Sequence, residues 1–493
     1  MTGPDRFRFL SIERSVPDSA AWERSDVPKL WLYHLHYFDD LVADGARERR
    51  KWHEDLIRRW IAENPPGCSI GWDPYPVSLR IVNWIQWALG GNTLSDEALN
   101  SLATQARWLR RRMEIHLLGN HLWANAKALV FAGLFFEGPE ADAWLKTGLS
   151  TLQAQLDEQI LADGGHFERS PMYHAIVLAD LIDLIQLAEV FHGVVDRARV
   201  QSWRGTARRM LRWMRVMTHP DGGIAFFNDA ALDAAPTHAQ LSDYADQVGV
   251  QDRDSESQEL PEIQALPDSG YVRLQRGVAT LIADVGAIGP DYQPGHAHAD
   301  TLSFELSLYG RRVFVNGGTS TYEPGSERLR QRGTASHNTV VINGQDSSEV
   351  WSSFRVARRA RPLPPCWGIR DGRLFLQGAH DGYSRLTKGL THTRRWYLSS
   401  EHLVVEDDIS GPFTTADAML LLAPEIDAQL EDHGAVLRWD GHEASARVEN
   451  ALMSVTWGTW HPRFGVTLAS RRLRIRAQRS QFRTLISWRD RAA

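Results

Sequence analysis

The hydrophobic pattern of this chain changes period once, between residues 258 and 268, and that change constrains the fold more than any other feature. Before it, apolar residues recur as on one helix face. Trp52, Leu56, Ile57, Trp60 and Ile61 hold the spacing until Asn64-Pro65-Pro66-Gly67 breaks it. Similar stripes run through 78–90, 98–115, 121–136, 141–160, 172–192 and 198–217, with short breaks rich in Gly, Asp and Pro. After it, short β-type runs take over: Tyr271 to Val285, Thr301 to Tyr309, Arg311 to Val315, Thr339 to Ile342, Arg394 to Leu398, Leu403 to Asp407 and Met419 to Leu422. Turn signals such as Gly317-Gly318 and Asn343-Gly344 separate them. The pattern predicts a helical domain over 1–258 and an antiparallel β domain over 259–493, with the polar stretch Gln251 to Glu262 as linker.

One break occurs twice. Asp163-Gly164-Gly165 and Asp221-Gly222-Gly223 each follow a long helical stripe, 58 residues apart. That spacing suits repeated helical hairpins, stacked as a solenoid or closed as a toroid.

A chain of 493 residues exceeds one hydrophobic core, and no apolar run approaches a membrane span. The amino terminus lacks the apolar stretch of a signal peptide, which predicts a cytoplasmic protein, or a periplasmic one whose leader has been removed. Cys68 and Cys366 imply no disulfide framework. A net charge of −6 argues against nucleic acid as partner but leaves room for a local basic cleft. Of 19 tryptophans, 12 precede residue 214; most would be core, while some could offer flat faces to sugar rings.

Several constellations carry candidate chemistry. His296 and His298, in Gly295-His296-Ala297-His298-Ala299-Asp300, head the alternating run Thr301 to Tyr309. If extended backbone reaches back into them, both imidazoles share a face, as base, metal site or a hydrogen-bonded pair at a sheet rim. Trp72-Asp73-Pro74-Tyr75-Pro76 reads as an aromatic loop stiffened by proline, either packed between helices or presented to a ligand. In Gly119-Asn120-His121, Asn120 is a helix cap or a functional amide. His166 to His174 gathers His166, Glu168, Arg169, Tyr173 and His174 at one loop-to-helix junction. Arg328, Arg330 and Arg332 form either a solvated charge run or an arm for carboxylates and sulfates.

In order along the chain, these motifs resemble the heparinase II/III-like polysaccharide lyases, together with Leu30 to Phe38 and the continuation Val77-Ser78-Leu79-Arg80. Gly119-Asn120-His121 and Ser170-Pro171-Met172-Tyr173-His174 match catalytic segments. Gly295 to Asp300 and Ser336-His337-Asn338-Thr339 match the β domain. The resemblance implies an incomplete (α/α) toroid followed by antiparallel β-sheets. It also implies β-elimination at a uronic acid in an acidic polysaccharide or oligosaccharide. By resemblance Asn120 neutralises the substrate carboxylate, Tyr173 is base, acid or both, and His296 completes the proton transfer. Trp72, Tyr75, His121, Glu168, His174 and Arg332 are the expected substrate contacts, with His121 and His174 as substitute bases.

Many relatives hold a structural zinc through the second His of the pair, an aspartate after the next strand, and a His before Asn-Thr. Here His298 and His337 stand in two of those places, but Asn316 replaces the aspartate. A neutral amide is a poor zinc ligand beside carboxylate, so no metal is expected to be required, unless Asp300 supplies the third ligand. Two rivals stay open. A glycoside hydrolase would need a carboxylate pair drawn from Asp163, Glu168 and Asp229. A non-catalytic polysaccharide-binding or biosynthesis-associated protein would need none. The polymer, endo- or exo-action and oligomeric state are not written in the sequence.

Overall fold

A computed structural model describes residues 1–250, 259–432 and 434–489, so the linker expected at 251–262 lies mostly outside the described residues. The chain divides into two compact units: Met1–Ile160 with Asp180–Arg204, and Leu161–Ala179 with Gly205–Ala493.

The first unit is helical. Helix Arg50–Glu63 buries Leu56, Ile57 and Trp60 of the stripe read from the sequence, with His53 beside them while Trp52 and Ile61 are only half-buried, and ends at Asn64 before the two prolines. Helix Gly119–Phe135 is apolar nearly all round and correspondingly buried on every side. It packs closely on helix Pro139–Gln159. A Cβ on Gly133 would sit 2.5 Å from the backbone nitrogen of Leu145, and one on Gly148 would sit 2.8 Å from that of Val130. Glycine at both places lets the two backbones approach. The Trp72 segment corrects the sequence reading. Pro74 opens helix Pro74–Leu89, so Tyr75 lies in a first helical turn and not in an extended loop. Proline at that position has the φ a helix start needs and loses no intrahelical bond.

The second unit begins with the turn made twice. Gly165 N–H donates to Asp163 Oδ1 at 2.9 Å, and Gly223 N–H donates to Asp221 Oδ1 at 2.9 Å. Gly164 and Gly222 have φ of 92° and 83°, where a side chain would be strained. Beside a few helices, such as His238–Gln247, the rest is built of antiparallel sheets. A five-stranded meander runs Ile263–Leu266, Tyr271–Arg276, Ala279–Asp284, Phe304–Leu308 and Arg311–Phe314. An eight-stranded sheet and a four-stranded sheet complete it. The expected order, helices and then antiparallel sheets, is the order observed.

The strand after the histidines is shorter than expected. It covers Phe304–Leu308 and is buried on both faces. Glu305 and Ser307 fill the second face by bonding His219, at 3.0 Å to its Nε2 and 2.8 Å to its Nδ1. Polar residues alternating along a strand here mark a second, hydrogen-bonded interior and not solvent.

Candidate active site

In the second unit, helix Pro171–Val190 starts abruptly after Arg169, whose φ is 59°. Ser170 Oγ accepts the N–H of Tyr173 at 3.2 Å and donates to the carbonyl of Asp229 at 2.5 Å. This sets Tyr173 in the first helical turn, with its ring stacked on His296 at 3.9 Å between centroids. The phenol oxygen lies 2.9 Å from that of Tyr322.

His296 is in a loop and not on a strand, yet both histidines converge on one carboxylate. Asp229 Oδ2 accepts from His296 Nδ1 at 2.9 Å, and Oδ1 accepts from His298 Nε2 at 2.8 Å. Arg328 donates to the same carboxylate through both terminal nitrogens. Burial pushes the Asp229 carboxyl up, but Arg328 and the two imidazoles outweigh it and hold it well below the usual range. His296 is 13% exposed while Asp229 is fully covered, so the imidazole is the open end of the pair. Its Nε2 lies 3.9 Å from Glu168 Oε2. Phe354, 40% exposed, stands edge-on to His296, and Tyr292, 55% exposed, lies near Phe167.

In the first unit, Asn120, His121 and Tyr75 cluster. Asn120 is the second residue of helix Gly119–Phe135, behind a cap at Leu118, so it is not the N-cap. His121 Nδ1 pairs with Glu114 Oε1 at 2.9 Å, and its ring centroid lies 4.5 Å from that of Tyr75. Burial, chiefly, raises the Tyr75 phenol, the charge of Asp180 adds to this, and a hydrogen bond from Asn120 opposes it.

Three expected substrate contacts are placed elsewhere. Trp72 is buried between Trp60 and Trp108 and donates to the Asn64 carbonyl at 3.1 Å, leaving no face for a sugar. His174 is buried against Trp213, its Nε2 donating to the Met210 carbonyl at 2.9 Å, and burial lowers its pKa to about 3. It is held neutral in the core and is no base. Arg332 is fully buried, with Nε and Nη2 on the Ala297 carbonyl at 3.1 and 2.9 Å. It braces the histidine loop from behind. The arginine run is thus neither solvated nor a free arm: it lies in helix Ser326–Arg332, with Arg328 and Arg332 buried and Arg330 paired to Glu327.

The sequence is matched by the model of the heparinase II/III N-terminus over residues 43–252 and by that of the heparinase II/III-like C-terminal domain over 258–489. The chain belongs to the heparinase II/III-like family. Among curated proteins it is 23% identical over 443 residues to a heparin-sulfate lyase of Bacteroides stercoris, covering 79% of this chain and 63% of that one. It is 26% identical over 419 residues to FtsZ-localized protein C of Caulobacter vibrioides, covering 80% of this chain and 66% of that one. The chain therefore spans somewhat under two thirds of these relatives. Among solved structures, crystalline heparinase III superposes with a TM-score of 0.78 at 20% identity, over 95% of this chain and 79% of that one. The shared fold is an (α/α) toroid followed by antiparallel β-sheets.

The family's zinc position can be tested against the residues present. His298 Nδ1 and His337 Nε2 lie 3.2 Å apart, bonded to each other. Asn316 accepts the N–H of Asn338 at 3.0 Å and donates to Ser303 Oγ at 3.3 Å, so both ends of its amide are engaged. Asp300 accepts the N–H of Asn228 at 3.1 Å. The donor set would be two neutral imidazoles and an amide. Burial, chiefly, lowers the His298 pKa to about 4, with Asp229 opposing it and the positive charges of Arg328 and Arg332 adding to it. These residues do not fit a zinc ion.

Sequence reasoning missed Asn228, Tyr322, Phe354 and Tyr292 and gave Asp229 a different part. Asn228, at φ 57°, accepts the N–H of His298 at 3.0 Å and donates to the Arg169 carbonyl at 3.1 Å. The one available signal was the repeated Asp-Gly-Gly turn, since Asn228 and Asp229 come a few residues after the second as Glu168 and Arg169 come after the first.

Proposed function

We propose that this protein cleaves a uronic-acid-containing polysaccharide by β-elimination. The observation that carries the reading is the stacked pair Tyr173 and His296, two proton-transfer groups 3.9 Å apart between ring centroids, with the imidazole fixed from behind by Asp229. The reaction breaks the C5–H and C4–O4 bonds of a uronate and forms the C4=C5 double bond. A base must take the C5 proton, and the departing O4 must gain one. Tyr173 and His296 take these parts. Asn120 takes its role, neutralising the carboxylate, from its motif. General acid–base groups of this kind contribute about 10²–10⁴-fold each. The exposed ring of Phe354 beside His296 suits a sugar chain. The relatives named as heparin-sulfate lyases favour a sulfated or carboxylated glycosaminoglycan as substrate.

A hydrolytic mechanism loses two of its candidate carboxylates. Asp163 accepts the Ser269 N–H at 2.7 Å, and Asp229 is saturated by two histidines and an arginine. A second reading, a non-catalytic polysaccharide-binding or biosynthesis-associated protein, stays beside it, since one relative is named for its localisation with FtsZ and not for a lyase activity. One experiment separates the three. The protein is incubated with a panel of uronate polymers, and absorbance of the unsaturated product is followed together with reducing ends. Both rise together for a lyase. Reducing ends alone indicate hydrolysis, and binding with neither indicates the second reading.

A further inference from the structure

Asp229 holds more of this site than any other residue. Its carboxylate takes His296 Nδ1 at 2.9 Å, His298 Nε2 at 2.8 Å, Thr319 Oγ1 at 3.1 Å and Arg328 Nη2 at 2.7 Å. Its backbone N–H donates to the His296 carbonyl at 3.0 Å, so the residue grips His296 at both ends. Its own carbonyl receives Ser170 Oγ, which in turn caps the turn carrying Tyr173. A carboxylate locked onto a guanidinium only accepts hydrogen bonds. The ring nitrogen facing it must therefore carry the proton, which leaves the lone pair of neutral His296 on Nε2. That nitrogen is turned away from Asp229, toward the side where Glu168 lies at 3.9 Å.

We propose that Asp229 is a positioning residue: it fixes His296 as the Nδ1–H tautomer and holds its ring against Tyr173, so that Nε2 is the atom that exchanges the proton. The inference rests on the lyase reading for its catalytic consequence, but the tautomer itself does not depend on any substrate. Arg328 is the clamp on this arrangement. By pairing with both oxygens of Asp229 it keeps the carboxylate charged and its plane fixed. A carboxamide at 229 could offer only one oxygen, would turn an NH₂ toward either an imidazole or a guanidinium, and would release the tautomer.

The test has two arms. In the wild-type protein labelled with ¹⁵N-histidine, the His296 resonances, assigned by their loss in His296→Gln, should show a protonated Nδ1 and a bare Nε2. The opposite tautomer overturns the proposal, with no variant of Asp229 needed. In the second arm, Asp229→Asn should lower kcat by about 10²–10⁴-fold with KM within a few-fold, as orientation of a catalytic imidazole predicts. It should also populate the Nε2–H form. A folded Asp229→Asn protein with wild-type kcat, or with an unchanged tautomer, overturns the proposal. Should that variant fail to fold, the wild-type spectrum alone decides. A wild-type protein that yields unsaturated product from no polymer refutes the lyase reading, whereas the spectrum still decides the tautomer.

Discussion

At the scale of single residues, the account turns on one phenol. Tyr173 is mostly buried, stacked on His296 and bonded to Tyr322, so removing its oxygen alters chemistry more than packing. Tyr173→Phe should keep the melting temperature within a few degrees while kcat falls by about 10²–10⁴-fold. A Phe variant near the wild-type rate would assign the proton transfer to a histidine. Tyr173 and His296 were legible because each sits inside a short motif. His174 was misread for a simple reason: neighbours in a helix point about 100° apart, so one faces the site and the next faces Trp213. The pairings made by Asp229, Tyr322 and Arg328 carry no local signal, because the partners lie 67, 149 and 99 positions away.

At the scale of elements, the histidine loop is held by this chain's own side chains on two sides. Asp229 and Asn228 hold it from one side, and Arg332 holds it through the Ala297 carbonyl from the other. His298 and His337 lie 3.2 Å apart, but Asn316 is spent on Asn338 and Ser303. Purified protein is therefore expected to hold well under one zinc per chain and to keep its fold and activity after chelation. Elemental analysis with activity before and after a chelator checks this; one tightly held zinc, with unfolding on removal, would contradict it. Helix positions were legible because each stripe has one period and a clear break. Strands beyond residue 427 were harder to read: Leu468–Ala477, for example, interleaves Arg471, Arg472, Arg474 and Arg476 with its apolar residues. Two of these arginines share Asp417, at 2.9–3.0 Å, a pairing invisible without the sheet register.

At the scale of the whole molecule, the many buried histidines set a pH response. Burial, with Arg80 beside it, lowers the His36 pKa to about 3, and burial lowers that of His174 to about 3. Unfolded histidine titrates near 6.5, so between these values the unfolded chain binds more protons than the folded one. Stability is then complete above about pH 6.5 and declines as pH falls toward 3. Melting temperatures should drop as pH falls from about 6.5 to about 5, before most carboxylates titrate. A flat profile over that window would mean that these imidazoles are solvated. The fold itself was legible at this scale, helices first and sheets second, because a change of hydrophobic period survives any local misreading.

The central claim is elimination, and the mass of the products tests it most directly. A defined uronate oligosaccharide cut by this protein should give two fragments whose masses sum to that of the substrate, with the new non-reducing end lighter by one water than its saturated counterpart. Fragments that together gain one water would show hydrolysis and contradict the account.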